Sequence, residues 1–252
     1  MRFKLIACDV FLREICFYAA RTPHIVDLEF TELGSHSQSD NLREIIQAKI
    51  DKAAQSEISY DAVLLGYGLC GNALVGIAAR NVRLVVPRAH DCCTILLGSG
   101  KAFRRHFADN PSQPFSSAGY MERCASHMRE DDVVSCDGKL FCFTEYASIY
   151  GEDNARYIFE QLRGRGRAHS RRIVFIETPF LRTLGHRKAV EEKARAEGKE
   201  LVVLKGSGRL LRNLVWGCWA KRDFCIVEPR HRIEGVYDWN EVLRGVEMHE
   251  GH

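Results

Sequence analysis

Several features are scarce in this 252-residue chain, and each scarcity removes a class of explanation. Proline numbers only 6, with no low-complexity tract or internal repeat, so neither a disordered protein nor a solenoid is expected. No apolar run approaches the roughly 18 residues that a membrane-spanning helix needs. The opening MRFKLIACDVFLREICFYAA carries Asp9, Arg13 and Glu14 where a secretory signal would be apolar, so a soluble cytoplasmic protein is expected. Neither sign of charge dominates: 36 Lys and Arg against 33 Asp and Glu leave a net charge of +3, which gives no argument for nucleic acid. The nucleophile elbow G-x-S-x-G, the P-loop lysine motif and H-E-x-x-H do not occur, which argues against the commonest hydrolases and nucleoside triphosphatases.

Cysteine, by contrast, is abundant. Ten cysteines without an export signal argue against a disulfide framework, leaving buried small hydrophobes, metal ligands or reactive thiols. Position must decide among these. A hydrophobic content of 46% fills the core of one large domain or two small ones.

The first hundred residues alternate strand and helix patterns. Apolar runs at 3–8, 25–33, 60–66 and 83–87 read as strands. Helical spacing at 10–20 and 41–54, a helix from about Asn72 and another over 91–107 complete four β-α units. Residues 111–170 are irregular, with a hairpin signalled by Asp137-Gly138 inside VVSCDGKLFCF. Their basic stretch 163–172 has no interleaved aromatics and reads as a solvated connector. The rhythm resumes over 171–252 with strands at 172–178, 200–206 and 223–229, and the tail from Tyr237 reads as a short helix. The expected fold is α/β: an open, mostly parallel sheet with helices on both faces, as one sheet or as two lobes. The expected divisions are 1–110, 111–170 and 171–252.

In such a sheet, ligands bind beyond the carboxyl ends of the strands. The first strand ends at Cys8 and Asp9, and the second runs out toward His36. The third empties into GYGLCG with Cys70, and PRAHDCCT follows the fourth, with Arg88, His90, Asp91 and Cys92. Zinc and iron-sulfur clusters take thiolate ligands, and Cys8, Cys70 and Cys92 offer three from separate strand ends. His90 or His36 is a candidate fourth ligand, and His90 and Asp91 are candidate acid-base groups. Cys92 is preferred to Cys93 because it lies nearer His90, before the helix is established.

The glycines support a rival reading. GYGLCG matches G-x-G-x-x-G between a strand and an expected helix, so Gly66, Gly68 and Gly71 would shape a phosphate turn. Asn72 would offer an amide at the helix start, and Arg88, with Lys205 and Arg230, would make the rim electropositive. Against this, the motif follows the third strand instead of the first. A second cluster, Cys124, His127, Cys136 and Cys142, is compatible with a small structural zinc site. Cys16, Cys218 and Cys225 read as packing.

GYGLCGNAL followed by PRAHDCCTILLGS resembles the signature of the family known as domain of unknown function 1638. CDVFLREI, YGEDNARY and DFCIVEP are similar to its other blocks. The resemblance implies that Cys8, Gly66, Gly68, Cys70, Gly71, Asn72, Arg88, His90, Asp91 and Cys92 are its motif positions. It also implies an association with corrinoid-dependent methyltransferases and one-carbon metabolism. The expected function is therefore a metal-thiolate protein, with zinc or an iron-sulfur cluster, acting on a small thiol or methyl donor as a metal-dependent transferase or lyase. The alternatives are a nucleotide- or cofactor-binding module and a non-catalytic accessory of a corrinoid methyltransferase system.

Overall fold

The computed structural model describes residues 1–33, 40–70, 72–108, 113, 115–123, 172–236, 238 and 240–248, with the backbone alone of 39, 133–136 and 139–142. Two compact units divide the chain: Met1–Pro111 with Lys205–His252, and Ser112–Leu204.

The first unit begins with β1 (Arg2–Cys8), α1 (Leu12–Ala19), β2 (Ile25–Thr31), α2 (Ser39–Ala54), β3 (Ala62–Gly66) and β4 (Leu84–Pro87). Every residue of β3 and β4 is buried, as parallel strands covered on both faces require. In α2, Leu42, Ile46, Ile50 and Ala53 recur at helical spacing and are all buried, and each of the three larger side chains contributes about 1.5–3 kcal/mol of burial. β1 pairs in parallel with both β2 and β3, and β3 pairs in parallel with β4. The chain thus steps outward from β1 to β2 and then crosses back to β3. Right-handed crossovers put α1 and α2 on opposite faces of such a sheet. The direction of winding reverses between β1 and β3, and a reversal of this kind opens a crevice at the strand ends.

Two expected helices differ. Residues 72–76 form turns and Ala78 makes an isolated bridge with Arg232, with Asn72 at φ 71° and Gly76 at φ 88°, both incompatible with a helix that continues. The backbone donors go elsewhere: the Gly76 amide donates to the Ile233 carbonyl and the Ala79 amide to that of His231, each at 2.8 Å. The stretch 91–107 is two helices, α3 (Cys92–Leu97) and α4 (Gly100–Phe107), separated where Gly98 turns left-handed and the Ser99 side chain accepts from the Ala102 amide.

The second unit holds β5 (Phe115–Ser117), α5 (Ala118–Arg123), β6 (Val133–Cys136), β7 (Lys139–Cys142), β8 (Arg172–Glu177), α6 (His186–Ala196) and β9 (Glu200–Lys205). β8 lies between β5, to which it is parallel, and β9. Ile173, Phe175, Val190 and Ala194 form its core. β6 and β7 pair antiparallel, as the Asp-Gly signal predicts.

The chain then returns to the first unit with α7 (Arg209–Val215), β10 (Phe224–Val227), β11 (His231–Gly235) and β12 (Leu243–Glu247). α7 packs on α1, β3 and β4, and β10 adds to β4 as an antiparallel edge. The tail, expected to be helical, instead forms β12 against β11. Its alternation explains the outcome: Leu243 is buried while the next residue, Arg244, faces out and pairs with Glu234 across the ladder at 3.2 Å. Among the described residues, no helix is long and apolar enough to cross a membrane.

Candidate functional site

At the reversal of strand order, three cysteines from three separate connections come together. Cys8 ends β1, Cys70 lies in the loop after β3, and Cys92 opens α3. The side chains of Cys70 and Cys92 share a hydrogen bond, and Cys8 interacts electrostatically with both. Cys8 and Cys92 are buried residues; part of Cys70 reaches the surface, but its sulfur is enclosed. The Cys70 thiol is pushed well above its ordinary pKa by its bond with Cys92 first and by burial second. The Cys8 thiol is pushed up chiefly by burial, then by Cys92. All else being equal, both are protonated at neutral pH.

The loop that delivers Cys70 is held backbone to backbone. The Leu69 amide donates to the Ala89 carbonyl at 2.8 Å and the Cys70 amide to that of His90 at 2.9 Å, a short ladder between the two strand-end loops. Cys70 itself sits at φ 45°, a left-handed conformation that costs a side-chain-bearing residue about 1–2 kcal/mol. Such strain persists only where the surroundings fix it. The glycines make the contact possible. A Cβ on Gly68 would lie 2.7 Å from the backbone N and Cα of Asp91, and one on Gly66 would lie 2.5 Å from the Ala7 Cβ. Both glycines are therefore used to admit neighbouring parts of this protein.

The remaining predicted residues divide. Asp91 is the N-cap of α3: its Oδ1 accepts from the Thr94 amide at 2.9 Å and from the Thr94 hydroxyl at 3.0 Å, which fixes the helix start and so Cys92. His90, beside it, is half-buried; burial lowers its pKa, Asp91 raises it and Arg104 lowers it. Arg88 serves the framework, its guanidinium donating to the carbonyls of Lys221 (2.9 Å), Glu241 (2.6 Å) and Leu243. Asn72 is exposed, and its carbonyl accepts from Arg43 at 3.0 Å. His36 and Gly71 lie outside the described residues.

A participant not anticipated from the sequence is Tyr67. It is fully buried, its hydroxyl is 2.7 Å from Thr31 Oγ1 at the end of β2, and it interacts electrostatically with Cys8, Cys70 and Cys92. Burial holds the phenol protonated. Its position between two glycines at a strand end was the available signal.

No group of three or more His, Cys, Asp or Glu among the described residues has an arrangement suited to holding a metal ion. In the second cluster, Cys124 and His127 lie outside the described residues. Cys136 sits opposite Lys139, and Cys142 opposite Val133, so the two cysteines are not cross-strand partners. Cys225 is buried as expected of a packing residue, whereas Cys16 and Cys218 are exposed.

A family model described as Protein of unknown function (DUF1638) matches residues 30–215, most of the chain. The chain belongs to this family. The match includes Cys70 and Cys92 with the loops that carry them, and Cys8 lies before it. No curated protein and no solved structure matches the chain.

Proposed function

We propose that this DUF1638 protein binds a metal centre, zinc or an iron-sulfur cluster, through Cys8, Cys70 and Cys92. The observation that carries the reading is the meeting of three thiols from three strand-end connections, one of them held in a strained left-handed conformation. Buried cysteines that serve as small hydrophobes need no such strain. The donor set is soft and suits zinc or iron by ligand type, and binding either would draw the three side chains from their present positions into a metal-holding arrangement. His90, its proton affinity lowered by burial, is neutral at pH 7 and suited to a fourth ligand or a proton acceptor; His36 is the other candidate ligand. Asp91 acts through Cys92 by capping α3.

A centre with an open position supplies Lewis acidity toward a thiol or methyl donor. The resemblance that links the family with corrinoid methyltransferases supports this substrate class and a corrinoid protein or methyltransferase as partner. The dinucleotide reading has less support, because turns follow the glycine loop where a phosphate site needs a helix N-terminus.

Metal analysis of anaerobically purified protein tests the proposal. The expected result is about one centre per chain, lost in Cys70→Ser. A brown colour with broad absorption near about 400 nm identifies iron-sulfur, and a colourless metal-loaded protein identifies zinc. Folded, metal-free protein that takes up neither zinc nor iron overturns it and leaves the accessory role.

A further inference from the structure

On the first unit, a cleft of about 530 Å³ is lined by the start of α4, the Lys221–Asp223 stretch and the segment leading into β12. We propose that this cleft binds the phosphate or carboxylate end of a small organic anion. Its volume lies within the range of about 300–1,000 Å³ typical of small-ligand sites. Its lining carries five cationic side chains against three carboxylates.

The disposition of those charges strengthens the case. Two of the carboxylates already have partners. Asp223 is gripped by Arg209 through two bonds, of 2.6 and 2.8 Å, and Asp238 Oδ1 accepts from the amides of Asn240 and Glu241, each at 2.8 Å. Lys101 and Lys221 are lining residues of the cleft, and neither ammonium group has a hydrogen bond or an ion pair with another described residue. Arg104, also a lining residue, contacts Oδ1 of Asn240, another polar residue of the lining, at 3.5 Å. The Ser99 side chain takes the Ala102 amide, and the two amides before it in α4, at Gly100 and Lys101, belong to lining residues and have no intrahelical acceptor. Unpaired ammonium groups beside open amides at the positive end of a helix are complementary to an oxyanion.

This inference goes beyond the thiol site and does not depend on it. The test is titration calorimetry with inorganic phosphate, pyrophosphate and citrate on the full chain, with Cys70→Ser run in parallel. Saturable binding is expected with Kd near 1 mM or tighter, weakening several-fold between about 50 and 200 mM salt, and equal in Cys70→Ser. Lys101→Glu and Lys221→Glu should each weaken it about tenfold, and both residues are exposed, so neither change disturbs the core. Tighter binding of pyrophosphate marks a phosphate-bearing ligand, and tighter binding of citrate a carboxylate; either supports the cleft. No saturable binding of any of the three, or binding indifferent to both charge reversals, overturns it. Loss of binding in Cys70→Ser alone would assign the anion to the thiol site and overturn the cleft as its location.

Discussion

The amide of Cys70 donates to the carbonyl of His90 at 2.9 Å, and this bond registers the loop after β3 against the loop after β4. Two residues beyond His90 the chain enters α3 at Cys92, whose side chain meets that of Cys70. The thiol pair is thus a consequence of main-chain pairing between two strand ends. The glycine on which that approach depends is Gly68, packed against Asp91.

Gly68→Ala should therefore be costly although the position lies outside any helix or strand. With a Cβ 2.7 Å from the Asp91 backbone, the two loops must part. Urea denaturation should register a loss of about 1–3 kcal/mol. The variant should also load less metal than the wild type. A variant of unchanged stability would show that the loops are not tightly apposed.

Stability of the metal-free protein should fall with alkaline pH. The thiols of Cys8 and Cys70 have folded pKa values raised above those of an unfolded chain. Their contribution is therefore fully present below the unfolded cysteine value of about 8.5, and is lost as pH rises from there through the folded values. Above pH 8.5 the unfolded chain sheds these protons while the folded chain keeps them. Denaturation midpoints between pH 7 and 10 should decline, and Cys8→Ser should flatten the decline. The same protonation means that metal uptake releases protons, measurable as a dependence of binding enthalpy on buffer.

The fold was legible where one physical signal dominated. Apolar runs marked β1 to β4, and the spacing of Leu42, Ile46 and Ile50 marked α2. The helix expected at Asn72 was lost to long-range partners, because β11, about 160 residues later, takes the backbone bonds of Gly76 and Ala79. β12 was read as helix for the same reason: its strand partner β11 outweighs local preference. Strand-end logic put Cys8, Cys70 and Cys92 on one rim, since parallel topology brings those ends together, but the loop pairing and the Gly68 approach that close the Cys70–Cys92 contact needed the tertiary fold. It did not distinguish Arg88, whose carbonyl partners at Glu241 and Leu243 are invisible without the tertiary fold.

Arg88→Ala should loosen the end of the chain before the central sheet. Three carbonyls lose their donor, and a charged hydrogen bond is worth about 1.5–3 kcal/mol. Hydrogen exchange should speed up across Leu243–Glu247 while β1 and β3 stay protected. Arg88→Lys should rescue little, because an ammonium does not reproduce the planar fork that reaches all three. Uniform loss of protection across the sheet would refute this local role.

Tyr67→Phe tests whether the buried phenol belongs to the thiol site or only to the core. Removing the hydroxyl strands Thr31 Oγ1 without its 2.7 Å partner, at a cost of about 1–3 kcal/mol. Adding Thr31→Val removes the orphaned group as well, so the double variant should be more stable than the sum of the single losses, with a coupling of about 1 kcal/mol. Ionised thiols raise the pKa of Tyr67, which places the phenol near all three, and if its neutral hydroxyl dipole acts on them in return the double variant should differ from the wild type in the pH dependence of thiol alkylation. Equal alkylation profiles would leave Tyr67 a packing residue, since a hydroxyl that merely fills space has no reason to alter the ionisation of Cys8 or Cys70.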